Sequence, residues 1–272
     1  MFHHSSSQLG KRDKNEDELD IIMNLQEQNS EYKKLNFYAV YDGHGGSYIS
    51  KFLKNNLSKF IINKCIDESP QDKTFDKYIF KIYDYIQNKL IQSEKFAKVS
   101  GSTALIAIHY LKHGKQKLKI CNLGDCRAVL CSSINIAIPL TKDHKPMNYE
   151  ENKRIIKAGG NIIQDINDDP RINNLSVSRA FGDLDATPHV IHIPEIFNYE
   201  LSDHKFLIMA CDGVWDVLDN QSAIDFVLYT LDKITVNSNL STNRKDNIAF
   251  LLARYCIDKG SMDNISVMII FF

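Results

Sequence analysis

Strand-like runs come before, between and after two pairs of helical stretches, most of them in succession between the pairs, and that order limits the fold more than any other feature of the chain. The runs are "LDIIMNL", "NFYAVYD", "STALIAIHYL", "KLKICNLG", "CRAVLCS", "KFLIMACD" and "NISVMIIFF". Most are short, rich in Val, Ile or aromatics, and bounded by Gly, Asn or Asp. Helical periodicity marks "SYISKFLKNNLSKFIINKCI" and then "FDKYIFKIYDYIQNKLI", where Phe75, Tyr78, Ile79, Ile82, Tyr83, Ile86 and Leu90 recur at threes and fours. A second pair, "QSAIDFVLYTL" and "RKDNIAFLLARYCID", precedes the last strand. Parallel βαβ alternation does not give this succession; mostly antiparallel sheet with helices packed outside does. The expected fold is α+β: a β-sandwich of two mostly antiparallel sheets with a helix pair on each outer face (αββα). A chain of 272 residues, 43% hydrophobic, can bury such a core, and no linker divides it, so residues 1–272 read as a single domain.

Charge and patterning exclude several function classes. The net charge of −1 leaves no footprint for nucleic acid or an anionic membrane. The most basic patch, "KHGKQKLK" from Lys112 to Lys119, reads as a solvated hairpin tip, and the asparagine-rich "TVNSNLSTNRKDN" reads as a loop. No apolar run approaches the ~20 residues that span a bilayer. The first residues, "MFHHSSSQLG", lack the order of a secretory signal or a transit peptide. Cys65, Cys121, Cys126, Cys131, Cys211 and Cys256 form no C-x-x-C pair, and several fall in apolar runs. They read as buried reduced thiols in an intracellular compartment, cytoplasmic or nuclear. A zinc site from Cys121, Cys126 and Cys131 is poorly spaced. A monomer is expected.

The stretch "FYAVYDGHGG", Phe37 to Gly46, ends an apolar strand on a carboxylate and an imidazole in a glycine-rich turn. A tight turn accounts for Asp and Gly there; so does a site where backbone and side chain approach an ion or a phosphate. The same pattern recurs. Glu16 and Asp17 precede a strand, Asp125 follows "ICNLG", Asp212 closes "FLIMAC", and Asp263 opens the final strand. Strand ends in a two-sheet core can converge at one edge, and converging carboxylates repel unless a cation compensates. Oxygen donors with a glycine carbonyl nearby suit Mg²⁺ or Mn²⁺. Solvated turns remain the other reading.

The blocks "GKRDKNED", "VYDGHGG", "SGSTALIA", "NLGDCRAVL", "TKDHKP", "KRIIKAGG", "LSVSRAFGD", "ACDGVWDVL" and "KGSMDNISV" stand in the order of the metal-dependent Ser/Thr protein phosphatases of the type 2C family. The chain resembles that family from about Gly10 to Phe272. The resemblance implies a β-sandwich flanked by helix pairs and a hydrolase of phosphoserine and phosphothreonine acting on phosphoproteins. It implies two Mg²⁺ or Mn²⁺ ions and a weaker third. Asp42 corresponds to the carboxylate bridging two ions, the Gly43 carbonyl to a ligand of one, and Glu16 to an acidic ligand, direct or through water, with Asp17 supporting it. Asp212 and Asp263 correspond to the remaining ligands, and Asp125 to the weaker site. Arg12 corresponds to the phosphate-binding arginine and His44 to the general acid. Gly101, Ser102 and Thr103 are expected to start a core strand, Gly159 and Gly160 to end a helix, and Trp215 to pack at a strand-to-helix corner. A flap beside the active site is expected at about 160–187.

The chain departs from the family's pattern at Cys126, where serine is usual, and at Asn174, where glycine is usual. Its late start leaves room for a missing edge strand. "SSQLGKRDKNED" and "GDLD" are most similar to the mitochondrial branched-chain ketoacid dehydrogenase phosphatase branch, which would add the mitochondrial matrix as an address, although no presequence is seen. Two rivals stand beside the phosphatase: a catalytically silent binding module on the same fold, and a hydrolase of small phosphate esters. The first would be expected to lack metal carboxylates, and every matched position is filled.

Overall fold

In the computed structural model of the protein, residues 1–25, 32–67, 73–92, 95–164, 169–236 and 247–272 are described. Strands β1 (Phe2–Gln8), β2 (Glu18–Leu25), β3 (Tyr32–Tyr41) and the two-residue β4 (Gly43–His44) lead into helices α1 (Tyr48–Asp67) and α2 (Lys73–Gln92). Next come β5 (Gly101–Ser102), β6 (Ala104–Lys112), β7 (Lys115–Leu123), β8 (Arg127–Cys131) and β9 (Ala137–Pro139). Helix α3 (Tyr149–Lys157) opens an excursion that ends in β10 (Phe181–Gly182). The chain closes with β11 (Glu195–Leu201), β12 (Phe206–Ala210), the short α4 (Asp212–Trp215), α5 (Asn220–Val236), α6 (Ile248–Asp258) and β13 (Ile265–Phe271).

Two five-stranded antiparallel sheets result, ordered β1-β13-β12-β8-β9 and β11-β7-β6-β3-β2. Their central strands bury both faces, which is why they read as continuous apolar runs. On β3, Tyr38 and Val40 point into the core between the sheets, while Phe37, Ala39 and Tyr41 point outward onto α1 and α2. On β13, Met268 and Ile270 enter the inner core; Val267 and Ile269 meet the apolar sides of α5 and α6. The layers are therefore the expected αββα sandwich. Edge β1 pairs with β13 from Phe2↔Phe271 to Gln8↔Ile265, so residues 2–8 form the edge strand of that sheet.

Several local expectations have clear outcomes. The β6–β7 hairpin turns at His113 and Gly114, both at positive φ, with Lys112 opposite Lys115. Gly159 and Gly160 end α3, their N–H groups bonding to the carbonyls of Ile156 and Ile155. Trp215 is nearly buried at the β12–α4 corner, where its indole N–H donates to the Ala210 carbonyl at 3.0 Å. Asn174 takes φ 66° and its neighbour Asn173 φ 50°, so asparagine reproduces a left-handed turn. Helix α5 absorbs Thr235 and Val236 of the expected asparagine-rich loop; residues 237–246 lie outside the described residues, as do 165–168 of the flap. Cys121, Cys126 and Cys131 pack in three different layers, outside one sheet, between the sheets and outside the other, which rules out a shared zinc.

One small ladder positions the site. Strands β10, β5 and β4 pair in that order, putting His44 and Gly182 both opposite Gly101. It ties the end of the α3 excursion to the glycine-rich turn. That excursion has its own small core of Ile155, Ile172, Val177, Ala180, Ala186 and Val190.

Candidate active site

At one edge of the sandwich, where β3, β7 and β12 end and β13 begins, the chain forms an open cleft of about 660 Å³. Arg12, Glu16, Asp42, Gly43, His44, Asp125, Asp212 and Asp263 all line it. Asp17 does not; it is buried behind, next to Asp42 and Cys211. Residues separated by most of the chain meet here because antiparallel sheets bring alternate strand ends to the same edge.

The centre is acidic. Carboxylate oxygens of Asp42, Asp125 and Asp212 lie within 4.8 Å of one another. Burial, then the Asp212, Asp17 and Asp125 charges, push the Asp42 carboxyl well above the usual carboxylate range. Burial followed by Asp125 and Asp216 does the same to Asp212, and burial raises Asp17 to about 6. Asp17 Oδ2 is also buried with no hydrogen-bond partner. A cluster of hard oxygen donors that cannot all carry charge alone fits one or more divalent cations.

Glu16 and Asp263 line the same cleft with their carboxylates engaged by the protein. Glu16 Oε2 accepts the Gly46 N–H at 2.9 Å. Arg12 Nη2 donates to Asp263 Oδ2 at 2.6 Å, so the guanidinium expected on phosphate rests on an expected metal ligand. Gly43 allows a close approach: a Cβ there would fall 2.4 Å from the Glu16 carbonyl oxygen. Asn264 fastens the 9–16 loop to the head of β13, accepting from the Glu16 N–H and donating to the carbonyls of Leu9 and Lys14.

Two partners at this edge escape a reading of motifs. Asp183, almost fully buried and at φ 46°, holds the His44 Nε2–H at 2.7 Å. Burial opposes the charged imidazole, but the Asp183 bond and charge outweigh it, and the His44 pKa rises. Gly101 clears room for the pair; a Cβ there would lie 2.1 Å from Asp183 Oδ2 and 2.4 Å from His44 Nε2. Lys145 Nζ lies 2.5 Å from Asp125 Oδ2, and its backbone is anchored by the adjacent His144, whose Nδ1 accepts the Gly124 N–H. Both residues stand in blocks singled out in the sequence, "AFGD" and "DHKP", but their partners are visible only in three dimensions. Cys126 is buried against Thr103 Oγ1 at 3.1 Å, and no described trio of potential ligands includes it.

The sequence profile of the family described as Protein phosphatase 2C matches residues 3–265. A PP2C-like domain-containing protein of Acanthamoeba polyphaga mimivirus is 48% identical over 174 residues, covering 58% of this chain and 96% of that protein. The Homo sapiens integrin-linked kinase-associated serine/threonine phosphatase 2C is 32% identical over 283 residues, covering 96% of this chain and 70% of its own. Among solved structures, a C. elegans sex determining protein superposes with TM-score 0.82 at 25% identity, over 100% of this chain and 64% of that one. A Toxoplasma gondii serine-threonine phosphatase 2C shares the fold with TM-score 0.82 at 22% identity, covering 99% and 94%. With an acidic edge, an αββα sandwich and a profile match along almost its full length, the chain belongs to the protein phosphatase 2C family.

Proposed function

We propose that the cleft is the catalytic centre of a metal-dependent protein serine/threonine phosphatase, with residues 1–272 acting as one catalytic domain and the segment around 160–187 as its flap. The observation that carries this reading is the crowded Asp42–Asp125–Asp212 cluster, with Asp125 buried and the other two half-buried, whose charges need cations. Asp42, the Gly43 carbonyl, Asp212 and Asp263 would hold two Mg²⁺ or Mn²⁺ ions, with Glu16 reaching one and Asp17 supporting Asp42 from behind. Asp125 would serve a weaker third, in competition with Lys145. When bound, such ions lower the pKa of a water and orient it for in-line attack on phosphorus.

The protein's own groups do the rest. Arg12 exchanges Asp263 for the substrate and clamps two phosphoryl oxygens at once, a geometry its planar fork suits. His44 delivers a proton to the departing serine or threonine oxygen, which leaves poorly as an alkoxide. Asp183 fixes the imidazole by its Nε2–H, so that orientation is set before substrate arrives.

All eight expected cleft residues come from one copy of the chain, so a monomer acting on phosphoproteins would need no residue from a partner. Five described cysteines are buried free thiols, which suits a reducing compartment, cytoplasmic or nuclear. Among the described residues no helix is long and apolar enough to cross a membrane. The comparisons lend no support to the mitochondrial ketoacid dehydrogenase phosphatase branch. Phosphate release from a phosphothreonine peptide should require Mg²⁺ or Mn²⁺, stop on chelation and return on re-addition. Full turnover after chelation would sink the reading.

A further inference from the structure

A phosphoresidue that enters this cleft is carried on a polypeptide, so the chain on either side of it must lie along the rim. One stretch of that rim is apolar. Val99 lines the cleft with His44 and Gly45 and is 70% exposed; beyond the lining, Phe96 at the start of the same turn and Tyr48, 49% and 37% exposed, form a stacked pair, with Lys95 Nζ 5.8 Å from the Phe96 ring. The Tyr48 and Phe96 rings have centroids 4.8 Å apart and planes 26° apart. Exposed apolar side chains scattered singly need no explanation, but adjoining ones at the mouth of a binding cleft mark a contact surface. The remaining rim is mixed: Arg12, Asp13 and Lys14 line it from one segment, and Arg171, Asn174, Leu175, Ser176 and Val177 from another.

This shelf is fixed to the catalytic turn. Ser100 Oγ donates to the Gly46 carbonyl at 3.1 Å, and the Ser100 N–H donates to the Phe96 carbonyl at 3.2 Å. The Val99 carbonyl packs on Gly45 so closely that a Cβ there would lie 2.2 Å from it. A surface already stacked and anchored loses little entropy when a ligand settles on it.

We propose that Val99, Phe96 and Tyr48 form a subsite for an apolar side chain flanking the phosphoserine or phosphothreonine. The enzyme then prefers phosphoprotein segments with such a residue close to the phosphorylated position. An extended chain advances about 3.3 Å per residue, and Val99 is itself part of the cleft, so the flanking residue lies within about three positions of the phosphate. The inference rests on the phosphoprotein reading of the cleft.

The test uses phosphothreonine peptides identical except at one position, with Leu in one and Ser in its twin, scanned over the positions on both sides. The readout is the Leu/Ser ratio of kcat/KM on the same enzyme, so any loss of folded or metal-loaded protein cancels. The wild type should favour the leucine twin by roughly tenfold at one or two adjacent positions, the low end of discrimination through apolar contacts. Phe96→Asp and Val99→Asp should each bring that ratio close to one. A wild-type ratio near one at every position, or a preference that survives both substitutions, would overturn the subsite while leaving the phosphatase reading intact. An enzyme that hydrolyses nitrophenyl phosphate but no phosphopeptide would overturn the phosphoprotein reading, and the subsite with it. A wild-type dimer in sedimentation that Phe96→Asp dissociates would assign the shelf to a second copy of the chain, and the proposal would fall.

Discussion

His44 and Asp183 reach each other across 139 positions of sequence, and their bond gives a way to separate proton delivery from metal chemistry. A general acid matters in proportion to the basicity of the departing oxygen. His44→Gln should therefore lose about 10²–10⁴ of its rate on a phosphothreonine peptide and far less on a nitrophenyl ester. Asp183→Asn should show the same substrate-dependent loss in smaller measure, and the double variant should be no worse than His44→Gln alone. Equal losses on both substrates would move His44 to a purely structural role. Arg12 makes a different residue-level case. Its removal should weaken inorganic phosphate binding by about 1.5–3 kcal/mol, the range for charged hydrogen bonds. Because Arg12 also rests on Asp263, Arg12→Ala should raise the apparent affinity for Mn²⁺ measured by titration calorimetry. Phosphate inhibition and Mn²⁺ affinity both unchanged would return Arg12 to a surface charge.

At the scale of elements, the strands missing from the sequence reading are informative. Apart from the two-residue pieces of the small ladder, these are β1, β9 and β11, and all three lie at sheet edges. An edge strand such as β1, "FHHSSSQ", buries little and carries no apolar alternation; only its pairing with β13 makes it a strand. Central strands such as β12 and β13 are buried throughout and announce themselves. Helix α3 adds an electrostatic joint to the excursion that flanks the cleft. Glu151 accepts from Arg179, Ser178 and Arg154. Burial alone would raise its carboxyl, but these partners outweigh burial and hold it at about 2. A depressed carboxylate stabilises fully above its unfolded value of roughly 4.3 and loses that contribution as pH falls through about 2. Glu151→Gln should therefore cost on the order of 3 kcal/mol at neutral pH, with the gap to wild type closing as pH falls from about 4 toward about 2. Urea unfolding at several pH values checks this; a gap independent of pH would mean that the carboxylate charge does not contribute.

For the whole molecule, the acidic edge sets stability against function. Carboxyls raised by burial and mutual repulsion cost stability at neutral pH, and that cost fades as pH falls through their folded values, about 6 for Asp17. Metal-free Asp42→Asn should consequently melt no lower than metal-free wild type. Saturating Mn²⁺ should stabilise wild type by about 2.7 kcal/mol at one hundred times its Kd and the variant markedly less, with peptide turnover lost in the variant. A variant that melts well below wild type without metal, or gains as much from Mn²⁺, would remove Asp42 from the ion site.

Sequence alone determined the layers and the supply of chemistry. Periodicity of two against three or four is a local property, so the helix pairs, the central strands and the acids at their ends could be read directly. Gly159 and Gly160 at the end of α3 were legible for the same reason: backbone preference acts within a few residues. The left-handed φ of Asn174, by contrast, is given only by the structure. Tertiary structure decided who meets whom. Asp42, Asp125 and Asp212 form one cluster because the register of antiparallel sheets brings their strand ends to a common edge. Arg12 bonds Asp263 across 251 positions, and Asp183 reaches His44 through the β10–β5–β4 ladder. Such pairings depend on distances that only the closed sandwich fixes, and a carboxylate's neighbours, more than its place in a motif, set its charge.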